Sequence, residues 1–70
     1  MRYAIVIEKT ANNYSAYVPD LPGCIATGAT IEETEKPIRE AIEFHLTGLR
    51  EDGLPIPFPS SQVGYVEVTS

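Results

Sequence analysis

Cysteine occurs once in this chain, at position 24, histidine once, at position 45, and tryptophan not at all. A lone cysteine closes no internal disulfide, and no Cys/His spacing here suits zinc. The reading is a cytoplasmic protein without structural metal, cofactor or cross-link. Basic side chains are also few, five against ten acidic, for a net charge of −5. That balance opposes non-specific binding to nucleic acid and favours a basic partner. Long hydrophobic runs are missing: the opening apolar stretch, Tyr3 to Ile7, is too short for a signal peptide or a membrane span. No internal repeat or long low-complexity tract marks a second unit, so residues 1–70 read as one domain. A chain of this size buries only about 60% of the surface its unfolded form exposes, and association is the natural remedy.

The one segment with sustained helical periodicity runs from Thr30 to Gly53. Ile31, Thr34, Ile38, Ala41, Ile42, His45, Leu46 and Leu49 recur at spacings of three and four, which places them on one stripe. Most of the charged residues fall off that stripe. Thr30 with Glu33 fits a capping box, and Gly53 supplies a left-handed stop. Pro37, about the seventh helical position, lacks a donor for the carbonyl of Glu33. It predicts a kink, or else a short piece over about 31 to 35 and a main helix over about 36 to 51.

The rest reads as strand, turn or tail. Arg2 to Glu8 is rich in β-branched and aromatic residues and nearly continuous in apolar character, as in a central strand. Asn12 and Asn13 tolerate the left-handed conformations of a hairpin turn, after which Tyr14 to Val18 resumes strand character. Pro19, Pro22 and Gly23 break regular pairing around Asp20 to Cys24, a rigid corner, and Cys24 to Thr27 gives a third strand. After Gly53, prolines at 55, 57 and 59 impose an extended crossing of the surface, and Val63 to Thr69 reads as a last strand. Their two-residue spacing does not suit a proline-recognition ligand. A helix joining strands of one sheet favours a right-handed crossover to a parallel neighbour. The predicted fold class is α+β: a small mixed sheet, β-β-β-α-β in order 3-2-1-4, with one helix covering one face. The uncovered face and edge predict a homo-oligomer, a dimer or tetramer.

Arg2 to Glu8, Tyr14 to Cys24 (YSAYVPDLPGC), Gly28 to Glu33, and the helix ending in Glu51, Asp52 and Gly53 before Pro55 and Pro57 together resemble the HicB family of antitoxins. The resemblance covers about residues 1 to 60. It implies a partial ribonuclease H-like fold and a partner, a small basic HicA-like toxin that cleaves mRNA through a catalytic histidine. Many relatives continue into a DNA-binding module; this sequence ends at Ser70, so no DNA binding is expected of it. Pro37 departs from the ordinary helix former found at that place in relatives.

No enzyme is expected. Two-metal nucleases of the ribonuclease H type need convergent carboxylates, one of them in the middle of the first strand, where Tyr3, Ala4, Ile5, Val6 and Ile7 stand instead. His45 reads as a packed structural histidine rather than a catalytic one, and Cys24 as a small buried group rather than a nucleophile. Tyr14 and Tyr17 suit packing better than base stacking, since Lys9 is the one cation near them in sequence. The function implied is occlusion of the toxin by an acidic surface. Candidate contacts are Asp20, Leu21 and Pro22 in the corner, with Glu32, Glu33, Glu40 and Glu43 on the outer helix. The rival to that function is an orphan oligomer-forming domain without a toxin.

Overall fold

A computed structural model of the chain describes residues 1–69. Three short strands, β1 (Val6–Lys9), β2 (Tyr14–Tyr17) and β3 (Ile25–Gly28), precede one helix, α1 (Ile31–Glu51). The strands form an antiparallel sheet in the order β1-β2-β3. Val6 stands opposite Tyr17, and Tyr17 opposite Ile25. The α+β class and the 3-2-1 part of the predicted order are therefore present. No fourth strand is found among the described residues: Val63 to Thr69 pairs with nothing in the sheet.

The helix spans the predicted segment as one element, with Pro37 inside it rather than between two pieces. Pro37 has no N–H to offer the carbonyl of Glu33, and the helix continues through it. Thr30 caps the start, its hydroxyl accepting from the backbone N–H of Glu33 at 3.0 Å. The Glu33 carboxylate makes no return bond to the Thr30 N–H among the described hydrogen bonds, so half of the predicted box forms. Instead the Thr34 hydroxyl donates to the Thr30 carbonyl at 2.6 Å. The other end closes as a Schellman motif. Leu54 N–H donates to the Leu49 carbonyl at 2.9 Å and Gly53 N–H to that of Arg50 at 3.1 Å, with Gly53 at φ 68°.

The core is what the helix and sheet enclose: Ala16, Val18, Leu21, Cys24, Ile38 and Leu46, flanked by Tyr3, Ile5, Ile7, Ala41, Ile42 and Leu49. Since Ile7 stands opposite Ala16, the odd-numbered residues of β1 face the helix. Val6, Tyr17 and Ile25 form an uncovered row across the other face.

Two turns differ from their sequence reading. The β1–β2 connection has no left-handed asparagine, because no residue other than glycine has positive φ among those described. The turn is held by a backbone bond and a side-chain bond: Thr10 N–H donates to the Asn13 carbonyl at 2.8 Å, and the Thr10 hydroxyl to Asn13 Oδ1 at 2.6 Å. The proline corner does not interrupt pairing so much as fold two turns into it. Leu21 N–H donates to the Val18 carbonyl, Cys24 N–H to that of Leu21, and Val18 N–H to that of Cys24. With Pro22 second and Gly23 third at φ 84°, the later turn has the requirements of type II.

Candidate partner interface

The strand of chain after α1 cannot build a ladder, since three of its residues lack N–H groups, so side chains fasten it. The Tyr3 hydroxyl donates to the Pro57 carbonyl, and Ile56 packs against the core. Asp20 then receives four hydrogen bonds. Ser60 N–H and Ser61 N–H reach Oδ2 at 2.9 and 3.0 Å, and the hydroxyls of Ser60 and Ser61 reach Oδ1 at 3.1 and 2.8 Å. The Ser61 N–H, with the Ser61 hydroxyl next, holds the Asp20 carboxyl below its usual range.

This changes what the corner can offer a partner. Leu21, expected as a contact, is fully buried and belongs to the core. Asp20, also expected as a contact, already spends its acceptor capacity on Ser60 and Ser61. Pro22 alone of the three is exposed. Cys24 is buried, and desolvation pushes its thiol up from the ordinary value, which disfavours the nucleophilic thiolate.

The helix candidates fare differently. Glu32, Glu33, Glu40 and Glu43 are all exposed, and at 3.6 residues per turn they fall within roughly 100° of arc, on the side away from the core stripe. Lys36 lies inside the same arc and tempers its charge. Glu40 and Phe44 are neighbours at i and i+4, and Phe44 is 82% exposed. Sequence reasoning passed over Phe44; the available signal was an aromatic off the apolar stripe among glutamates. A large exposed aromatic beside a glutamate, on a face otherwise polar, is a candidate interface anchor.

Among the described residues no three of His, Cys, Asp and Glu come close enough to hold a metal ion. The glutamates of the outer helix lie along its axis rather than converging, so they present a surface, not a two-metal centre. His45 is half-buried on the helix and shares no hydrogen bond with an acid or nucleophile among those described. Among the described residues no helix is long and apolar enough to cross a membrane.

A surface of this kind on this fold defines a small binding domain. Residues 3–69 match the model of the HicB-like antitoxins of bacterial toxin–antitoxin systems, and the chain belongs to that family. A chain of a solved HicA3 and HicB3 toxin–antitoxin complex superposes with a TM-score of 0.71 at 35% identity, covering 86% of this chain and 70% of that one. Among curated relatives, an uncharacterised 14.9 kDa protein of Haemophilus phage HP1 is 44% identical over 57 residues, 81% of this chain and 43% of the relative. A UPF0150 protein of Helicobacter pylori is 49% identical over 49 residues, 70% and 68% of the two chains. This chain thus spans under half of the phage protein and about two thirds of the Helicobacter one.

Proposed function

We propose that this chain is the antitoxin of a HicA/HicB-like pair and acts in the cytoplasm, neutralising a small basic mRNA-cleaving toxin by direct binding and occlusion of its active site. The observation that carries this reading is the family match over residues 3–69, to which the likeness to a chain of a toxin–antitoxin complex adds a partner. The chemistry is that of a surface, with no catalytic step assigned to this chain. Its charge of −5 steers encounter with a basic toxin. Glu32, Glu33, Glu40 and Glu43 meet the cationic face that the toxin otherwise offers to RNA, Phe44 supplies a desolvated anchor beside them, and exposed Pro22 is a further contact.

The test begins with the neighbouring reading frame expressed alone and together with this chain. Growth arrest relieved by this chain, with a complex that co-purifies, is the expected result. Absence of arrest, rescue or complex favours the orphan domain. Within a complex, reversing the four glutamates to lysine weakens binding tenfold or more at low salt and flattens its salt dependence, chiefly through the association rate. Phe44→Ala weakens it by about 2 kcal/mol with little change in salt dependence. Affinity and salt slope both unmoved by the reversals would remove the outer helix from the interface.

A further inference from the structure

Between the start of the chain and the helix runs an open cleft of about 360 Å³, floored by Met1, Tyr3, Ile38, Ile42 and Leu46. Its rim is charged. Glu35, Arg39 and Glu43 line it from the helix side, all three exposed and four residues apart, so that they follow one flank of α1 from the border of the core stripe outward. Glu43 also belongs to the outer acidic arc, which makes the cleft continuous with that surface.

Two carboxylates and one guanidinium leave the rim with one negative charge. At a spacing of four, a glutamate that precedes its cation pairs better than one that follows it. Arg39 follows Glu35 and precedes Glu43, so it balances Glu35, and Glu43 is left to meet a cation from outside. An apolar side chain would fill the floor and leave Glu43 bare, whereas a small cation would neutralise Glu43 and leave the floor wet. A lysine or arginine does both, with its methylene stem on the apolar floor and its charged head at the rim.

The chain cannot supply that side chain from its own C-terminal segment. Residues 54–70 contain no lysine or arginine, their one charge being Glu67, and none of those described lines the cleft. Arg2 lies instead with Ser61, Gln62 and Val63 at a separate depression. A second copy carries the same net charge of −5 and approaches this flank against like charge. A basic partner has what is missing.

We propose, in an inference that rests on the antitoxin reading, that the cleft seats one lysine or arginine side chain of the basic toxin. The stem lies on Tyr3, Ile38, Ile42 and Leu46, and the head pairs with Glu43. A cation held there is withdrawn from phosphate contacts with RNA, the use to which basic side chains of an RNA-cleaving protein are put. Occlusion then includes capture of a substrate-binding cation.

The experiment uses the full chain and the toxin of the neighbouring frame, with dissociation followed at about 0.5 M salt, where the screening length is roughly 4 Å and long-range steering is suppressed. Glu43→Gln and Glu40→Gln remove the same charge from exposed positions of the helix, but Glu40 does not line the cleft. Far-UV dichroism should be the same for both. Glu43→Gln should raise the dissociation rate at least about fivefold, and Glu40→Gln less than about twofold. With labelled chain and unlabelled toxin, nuclear Overhauser contacts to the Ile42 methyls should come from side-chain methylenes of a toxin lysine or arginine. Equal effects of the two variants, or contacts to Ile42 from an apolar toxin side chain, from residues 63–69 or from a second copy, would overturn the role of the cleft and leave the antitoxin reading standing. Absence of any complex with the toxin would overturn both.

Discussion

The corner at Val18 to Cys24 and the tail at Val63 to Thr69 are both short and apolar, and neither is paired in the ladder along its length. The corner is closed: two turns return the chain on itself, their carbonyls taken by Leu21 and Cys24 N–H, and Leu21 drops into the core. The tail is open, its apolar side chains facing solvent. The difference lies in where partners can be found. Pro19, Pro22 and Gly23 set backbone angles locally, so the corner satisfies itself within seven residues. A strand cannot do this, because its backbone groups need a second strand. Composition makes both segments; only one can be completed alone.

The comparison breaks most readily at Leu21. Leu21→Ala leaves a cavity where the side chain is fully buried and should cost about 2–5 kcal/mol. A domain of this size has only about 4–10 kcal/mol in total, so urea unfolding should show a large loss of midpoint. A loss below 1 kcal/mol would mean that the corner, like the tail, is not built into the body.

Two glycines repeat the contrast in miniature. A Cβ at Gly28 would meet Thr34 Oγ1 at 2.7 Å and the backbone N of Thr34 at 2.8 Å, where the end of β3 lies on the first turn of α1. Gly28→Ala should cost about 1–3 kcal/mol. Gly48 has nothing within 4 Å and sits inside the helix, so Gly48→Ala should stabilise by about 0.5–1 kcal/mol. Thermal melts of the pair should move in opposite directions. Equal signs would show that the strand–helix contact at Gly28 is looser than its geometry.

These sites also show what could be read before the fold was known. The helix was legible because period, cap and stop agree on one segment, and the helix stripe is the core stripe, save for the exposed Ile31 at its start. The start of β1 was not. Apolar character predicts burial, and Tyr3 and Ile5 are indeed packed against the core, but the ladder begins only at Val6. The four helix glutamates were recognisable as a solvated face, whereas Asp20 and Leu21 took their roles from Ser60, Ser61 and the core, contacts that span the sequence. Val63 to Thr69 reads as a strand in the sequence and is not one among the described residues, because a ladder needs a partner edge that composition does not specify.

Asp20 joins the corner to Ser60 and Ser61, the residues that lead into the tail, and protons can separate them. Its four hydrogen bonds favour the ionised form, so the folded carboxyl titrates below its ordinary value of 3.8. A group with a depressed folded pKa contributes its full stability above the unfolded value, and the contribution disappears as pH falls through the folded value. The clamp on Ser60 and Ser61 should therefore hold throughout the neutral range and release only below pH 3.8. Amide shifts of Ser60 and Ser61 should inflect there together. At neutral pH Asp20→Ala should speed their hydrogen exchange while the amides of Ala16 and Leu46 keep their protection. An inflection at or above 3.8 would mean that the carboxylate does not hold the segment. Loss of protection at Ala16 as well would mean that closing the corner depends on holding the C-terminal segment, and that the two regions are not independent.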